Sequence, residues 1–462
     1  MCTSTQLDHD LFRILLYRRN GKELLLEQDD RSFALPALLI PRHTRVAQQI
    51  AEAIRREWKF QTVCLFPVGD RHFPAFAVEL WDEAPTHSIN RSWIPVHTLA
   101  ENDFHEPRHF YAIKLAVKLF EQYSESKAAG PFGRMGWLRD VTDWVEANAA
   151  PLGFRLSGQF QQFNASPTFS LVRFETDGLA LWFKAVGEPN RHEFPITIEL
   201  ASAFPVFVPQ IIATREDWNG WLSIEAEGTH PDEKSGRETW KGVATALGEL
   251  QVASFGQTLH LLNAGCRDVR ASSLLQLVAP FLEAMAELMD RQTKDSPPPL
   301  SRTELLTLKT QLKDALSEAA ESEMPDVLGH LDFNAGNIVV CSAGHAFLDW
   351  AEACAGTPLI TFQYLLEHLR RYGQHSWESA ITSAYLNAWR RFIPPRKIAA
   401  AVRISPLLAV FAYAACADAW REPEKIKHLE IARYFRGLTR RMKREGDRLV
   451  TDAAAKGVSC LI

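Results

Sequence analysis

Between Gly329 and Ile338 the chain reads Gly-His-Leu-Asp-Phe-Asn-Ala-Gly-Asn-Ile, and an apolar run then ends in Leu348-Asp349-Trp350. No other stretch constrains the fold so strongly, because its polar residues have to be gathered by turns while their flanks stay buried. Asn334-Ala335-Gly336 are turn residues that swing Asn337 back toward Asp332. Ile338, Val339 and Val340 read as a short buried strand, Ser342-Ala343-Gly344 as a turn, and Ala346-Phe347-Leu348 as the returning strand. Such a hairpin sets Asn337 and Asp349 side by side. A carboxylate at Asp332 suits the orienting and deprotonation of an attacking hydroxyl. The amide of Asn337 and the carboxylate of Asp349 are hard oxygen ligands of the kind Mg²⁺ takes beside a nucleotide γ-phosphate.

A chain of 462 residues is too long for one ordinary core and is expected to form two or three domains. With 46% hydrophobic and 23% charged residues it has a globular composition, and a net charge of −5 gives no sign of a nucleic-acid partner. Seven scattered cysteines show no metal-ligand spacing, which fits reduced thiols and a cytoplasmic protein. Met1 to Asp10 lacks the basic and apolar regions of a signal peptide. The longest apolar run, Leu407 to Ala417, is too short to span a bilayer and reads as a buried helix.

Residues 1–125 look separate from the rest. Strands are expected at Leu11–Tyr17, Glu23–Glu27, Thr62–Pro67 and Pro74–Leu80. A helix carries Val46, Ile50, Ile54 and Trp58 on one stripe, and a second runs over Pro107–Tyr123. Ser124 to Pro131 has linker composition, so a linker is expected over 126–136. This N-terminal part loosely resembles a Nudix domain, a small α/β fold, through a mixed sheet, Leu35-Pro36 before a loop, and a helix bearing Arg56-Glu57. Where that resemblance requires paired glutamates to hold Mg²⁺, the chain has Lys59, Phe60 and Gln61. The resemblance therefore implies an accessory domain without hydrolase activity, or a dimerising one through which a homodimer could form.

The segment around Asp332 resembles the catalytic stretch of the aminoglycoside phosphotransferase and choline kinase family, whose members typically read His-Gly-Asp-x-x-x-x-Asn, a hydrophobic strand, then Ile-Asp-Trp. The resemblance covers roughly residues 135 to 450 and is strongest between Leu328 and Leu366; Leu331 stands where glycine is usual. It implies an α+β chain with a bilobal, protein kinase-like fold, its small mixed N-lobe sheet and hinge over 137–228 and its mostly helical C-lobe over 229–462. A helix is expected at Trp137–Ala149 and strands within Phe160–Glu175 and Leu179–Ala185, with Asn164-Ala165-Ser166-Pro167 as a glycine-free turn over the phosphates.

Lys184 interrupts the apolar run Leu181–Val186 and must either snorkel to solvent or meet an anion. The resemblance assigns it to the α- and β-phosphates of ATP, tethered by Glu193, with Glu199 as the fallback. It assigns the adenine edge to backbone groups near Glu225 and Ala226, catalysis to Asp332, a bracing role to His330, and Mg²⁺ to Asn337 and Asp349. Gln251 follows Leu250 where the family often has histidine, at the end of a helix over Thr239–Ser254. Helices are also expected at Leu359–Tyr372, Ser376–Phe392, Arg396–Asp418 (with a break at Pro406) and Lys425–Lys456. A basic stripe of Arg433, Arg436, Arg440 and Arg444 reads as a solvated helix face. The implied activity is ATP- and Mg-dependent phosphorylation of a small-molecule hydroxyl. A nucleotide-binding scaffold without turnover, or nucleotidyl transfer on the same fold, stays open. Glu352 and Glu367 could receive a cationic acceptor or be plain surface charges.

Overall fold

The computed structural model describes residues 8–29, 32–82, 90–125, 131–342 and 344–459. The start of the polar N-terminus, the linker residues 126–130 and Ala343 of the hairpin turn lie outside the described residues. The architecture is α+β. The chain divides into two compact units, residues 1–194 with 210–225 and residues 195–209 with 226–462, so the backbone crosses between them at three places.

The first unit contains two sheets. One comprises β1 (His9–Arg18), β2 (Glu23–Asp29), β3 (Ser32–Ala34), β4 (Ala37–Pro41), β5 (Thr62–Val68), β6 (Ala75–Leu80) and β7 (Arg91–Pro95), with α1 (Val46–Trp58) between β4 and β5. The order is β3-β2-β1-β6-β5, with β4 also on β1 and β7 on β2. Only the β1–β6 pair is parallel. The central strand β1 is buried on both faces, as its unbroken run Ile14-Leu15-Leu16-Tyr17 requires. Ile14 and Leu16 pack with Ile50, Ile54 and Trp58 of α1. Burying each isoleucine contributes about 1.5–3 kcal/mol.

Leu15 and Tyr17 enter a different core, shared with Ala112, Ile113 and Ala116 of α2 (Pro107–Glu125) and with Trp137, Leu138, Val141 and Val145 of α3 (Trp137–Ala149). The same core takes Val172, Phe174, Leu181, Phe183 and Leu222 from the second sheet. That sheet comprises β8 (Leu156–Ser166), β9 (Phe169–Thr176) and β10 (Leu181–Ala185), then, after α4 (Glu193–Ala203), β11 (Ile211–Arg215) and β12 (Gly220–Ile224). Its order is β11-β12-β10-β9-β8. The side chain of Gln162 on β8 links the two sheets by standing in for a strand backbone. Its Oε1 accepts from the Cys64 N–H (2.8 Å) and its Nε2 donates to the Cys64 carbonyl (2.9 Å), where β5 carries a register shift.

One local expectation is corrected here. Asn164, Ala165 and Ser166 are not a turn but the end of β8, paired with β9 through Ser166 and Phe169. The connection is the two residues Pro167-Thr168, and Ser166 Oγ accepts from the Thr168 N–H (3.3 Å).

The second unit runs through α5 (Arg237–Ala253), α6 (Thr258–Ala264), β13 (Arg267–Val269), α7 (Ala271–Asp290), α8 (Arg302–Glu321), β14 (Val327–His330), β15 (Ile338–Cys341), β16 (Gly344–Phe347) and β17 (Ala353–Gly356). It ends with α9 (Leu359–Arg371), α10 (Glu378–Asn387), α11 (Pro395–Cys416), α12 (Pro423–Ile426) and α13 (Leu429–Ser459). The strands β13, β17 and β14 form one small sheet, and β15 and β16 the expected hairpin.

Pro406 does not break α11, which runs on for 22 residues. Proline at 406 leaves the Val402 carbonyl without its helical donor. Ser405 Oγ donates to that carbonyl (2.8 Å) and in turn accepts from Gln363 Nε2 (2.7 Å), so the gap is closed by side chains. By length and composition α11 could cross a membrane, yet 67% of its apolar window is buried inside the protein. The expected helix over Ser376–Phe392 ends earlier, at Asn387, and the C-terminal one is interrupted at Lys427-His428. The arginine stripe is only partly solvated: Arg436 donates to the Leu288 carbonyl and Arg440 to those of Pro297 and Pro298.

Candidate functional site

In the second unit, β14 delivers His330 into the interior, where the residue is 1% exposed, and the chain turns out to present Asp332 at the surface. Leu331 points inward and is buried with the helical core. Its N–H donates to the Glu352 carbonyl (2.8 Å), so a large side chain is accommodated where the resembling family has glycine. The His330 ring spans the site. Nδ1 accepts from the Asp332 N–H (3.1 Å), which leaves Nε2 to donate to the Leu348 carbonyl (3.1 Å). Burial pushes the imidazole below its usual range, so the neutral form fits this pattern of one acceptor and one donor. The His330 N–H donates to Thr361 Oγ1 (2.8 Å), and Trp350 packs on the ring at 5.1 Å.

Two amides hold the Asp332 carboxylate. Asn334 Nδ2 donates to Oδ1 (3.0 Å), and Asn337 Nδ2 reaches the Asp332 carbonyl (2.9 Å) and Oδ2 (3.3 Å). Asn334 can do this because its own Oδ1 caps the next turn, accepting from the Gly336 N–H (2.8 Å). The hairpin register then sets Leu348 opposite Asn337, with the Leu348 N–H on the Asn337 carbonyl (2.9 Å). Asp349 follows at once, exposed and in the left-handed region at φ 61°, ψ 65°. A non-glycine residue there is uncommon, and aspartate is among those that tolerate it. The segment after Gly228 runs against this hairpin: Thr229 exchanges both backbone hydrogen bonds with Val340 (3.1 and 2.9 Å). A Cβ on Gly228 would lie 2.3 Å from the Val340 carbonyl oxygen, so only glycine passes.

In the first unit, Lys184 sits on the central strand β10 and pairs with Glu193 at 2.5 Å. The two side chains are 13% and 2% exposed. Glu193 is the first residue of α4, where Pro195 two positions on lacks an N–H at no cost to the helix. Glu199, the fallback tether, instead pairs with His260 in the second unit (2.6 Å). At the end of β12 the Glu225 side chain is fully engaged. It binds Arg173 at 2.7 and 2.9 Å and Trp182 Nε1 at 3.0 Å, and the Arg173 guanidinium holds its carboxyl below the usual range. Its N–H is given to the Ala180 carbonyl (2.9 Å), which leaves its carbonyl as the group open to a ligand. Ala226, the next residue, begins the longer segment of the second unit.

Glu352 and Glu367 both meet arginines, Arg267 (3.1 Å) and Arg441 (2.6 Å). Gln251, buried, donates to the Pro358 carbonyl and accepts from Tyr385, a structural role. Two contacts that position the site went unread in the sequence: the amide of Asn334, expected only as a turn residue, on the Asp332 carboxylate, and Thr361 on the His330 backbone. The Asn-x-Gly spacing was a usable signal for the first; nothing local marks the second. Among the described residues no group of three or more His, Cys, Asp or Glu side chains could hold a metal. An all-protein cage is thus absent there, whereas one carboxylate and one amide suit Mg²⁺, which keeps several waters and phosphate oxygens around it.

Residues 189–394 match the model of the family described as "Phosphotransferase enzyme family". The match covers residues 189–394 of the 462 and shows a likeness of that segment to the family. The phosphotransferase match takes in Glu193, Glu225, Ala226, His330, Asp332, Asn337 and Asp349, and starts five residues after Lys184. The resemblance of residues 1–125 to a Nudix domain gains no support from it. A comparison with curated proteins gives no match. Among solved structures, a choline kinase from Cryptosporidium parvum Iowa II is similar at 11% identity and a TM-score of 0.46, over 68% of this chain and 97% of that one. The choline kinase of Streptococcus pneumoniae stands at 12% and 0.42, over 68% and 99%. A macrolide 2'-phosphotransferase from Brachybacterium faecium stands at 15% and 0.42, over 65% and 97%. These likenesses are distant.

Proposed function

We propose that the protein transfers the γ-phosphoryl group of ATP, with Mg²⁺, to a hydroxyl of a small molecule. The observation that carries this reading is the Asp332 carboxylate, exposed yet held by the amides of Asn334 and Asn337. A carboxylate fixed in this way can orient an acceptor hydroxyl and take its proton late, which is what a largely positional reaction asks of the protein. Asn337 and Asp349 would hold Mg²⁺, which neutralises charge on the β- and γ-oxygens. His330 braces Asp332 against Leu348 rather than moving protons. Lys184, tethered by Glu193, would pair with the α- and β-phosphates, and backbone groups of Glu225 and Ala226 would meet the adenine. The functional division proposed with this is an accessory domain at 1–125, a linker at 126–136, an N-lobe with hinge at 137–228 and a C-lobe at 229–462, in a cytoplasmic protein.

The test is thermal unfolding of wild type and Asp349→Asn in buffer, with ATP, and with ATP plus Mg²⁺. A Mg-dependent rise in Tm that the variant loses is the expected result, since a ligand stabilises the state it binds. An acceptor screen for ADP release then follows. No shift at millimolar nucleotide would sink the reading, and pyrophosphate release in place of ADP would replace it with nucleotidyl transfer.

A further inference from the structure

The first unit has a cleft of about 370 Å³ far along the chain from Asp332, formed by α1, the start of β5 and the edge strand β8. Five of its eleven lining residues are glutamines, a density that composition does not explain. One arginine (Arg55) against two glutamates (Glu52 and Glu175) leaves the lining slightly negative. That disfavours a phosphate or carboxylate ligand and suits a neutral one.

The polar groups are arranged, not loose. Glu52 accepts from Gln48 Nε2 (2.9 Å) and Gln161 Nε2 (3.1 Å), which commits the donor end of Gln161 and leaves its amide oxygen as the acceptor. Two groups lining the cleft are buried without a partner, the Thr62 hydroxyl on a residue 3% exposed and Gln61 Nε2. Buried polar groups are nearly always hydrogen-bonded, and an exception calls for a reason. Gln61, Thr62 and Gln161 all belong to the lining of one space, the first two with an unpaired polar atom that is buried from solvent. Phe160, held edge-on by Trp81 at 5.1 Å, supplies an aromatic side chain beside them.

We propose that this cleft binds a neutral planar heterocycle with an amide-type edge, the chemistry of a nucleobase, at a site separate from the phosphotransfer residues. Alternating donors and acceptors on a flat edge match glutamine amides and a hydroxyl, and the ring face matches Phe160. A polyol offers hydroxyls but no flat face, and a nucleotide adds charge that this lining does not attract.

The experiment is calorimetric titration of the full chain with uridine, cytidine, guanosine and adenosine, and with sorbitol as the polyol. Wild type, Lys184→Met, the pair Gln61→Leu with Thr62→Val, and Phe160→Leu are compared. At least one nucleoside is expected to bind wild type and Lys184→Met alike and to lose at least about tenfold in affinity in the other two variants. The Thr62→Val change is isosteric and removes an unpaired hydroxyl, so the unliganded Tm should not fall. Should the paired variant misfold, Phe160→Leu reads the same site through an independent contact. Absence of nucleoside binding to wild type, nucleoside binding that both sets of cleft variants leave unchanged, or sorbitol binding as tightly as any nucleoside would each overturn the proposal.

Discussion

At the scale of single residues, the site rests on how one carboxylate is held. Replacing Asp332 by alanine should lower kcat by about 10²–10⁴-fold with little change in nucleotide affinity, checked by ADP release alongside nucleotide titration. Asn334→Ala should be milder. It removes one of the two amides on that carboxylate and the cap on Gly336, so kcat should fall about tenfold while nucleotide Kd holds; an equal change in Kd would remove Asn334 from any positioning role. Stability should also respond to acid through His109, which is 4% exposed and accepts from the Leu35 N–H at 3.0 Å. Burial lowers its pKa to about 4, against about 6.5 in an unfolded chain. Between those values the unfolded state binds more protons, so this contribution is complete above about pH 6.5 and is lost as pH falls toward 4. The expected loss from pH 7 to pH 5 is about 2 kcal/mol. Urea unfolding at both pH values should show a flatter dependence in His109→Gln than in wild type.

Among elements, α11 shows a helix kept whole by its side chains. Ser405→Ala should cost about 1–3 kcal/mol in urea unfolding, because it strips the Val402 carbonyl of its donor and leaves the Gln363 amide buried and unpaired. A change below about 0.5 kcal/mol would mean that the proline gap needs no closing. The same helix shows why an element boundary could be misread from sequence: a break at Pro406 was the right expectation from the backbone alone, and a hydroxyl one residue earlier reverses it. Elements with a plain period were legible, as at Val46–Trp58, which carries the whole expected stripe, and Trp137–Ala149, whose bounds match the expected ones. The β15–β16 hairpin was legible too, because Ile338–Val340 and Ala346–Phe347 are apolar on either side of turn residues. Short strands such as β3, β7 and β13 carry too few residues for a period of two to register. The α7–α8 pair went unread although Ser301 and Glu304 form a capping box, with Ser301 accepting from the Glu304 N–H (3.2 Å) and Glu304 accepting from that of Ser301 (2.8 Å). At the site, Asp332, Asn337 and Asp349 could be located by spacing. Thr361, which braces the His330 backbone from α9, could not, since tertiary contact alone brings it there.

On the scale of the whole molecule, the core of the first unit joins what composition separates. Leu15, Tyr17, Val63 and Ile113 share buried surface with Phe174, Phe183 and Leu222. A fragment ending at Glu125 should therefore expose that face and bind a hydrophobic dye, whereas the full chain should not. Native-state hydrogen exchange should give β1, β6 and β10 one common opening free energy; protection of β1 unchanged when β10 opens would instead mark two independent folding units. The three crossings of the backbone between units have an effect of another kind. A protease that cuts at any one of them leaves the other two crossings intact, and a cut between residues 209 and 210 leaves neither half with a complete unit. A fragment ending at residue 194 would lack β12, and β10 would be left as a raw sheet edge. The pair behaves like a laced seam rather than beads on a string, so it would be inherited, moved or lost as a single piece.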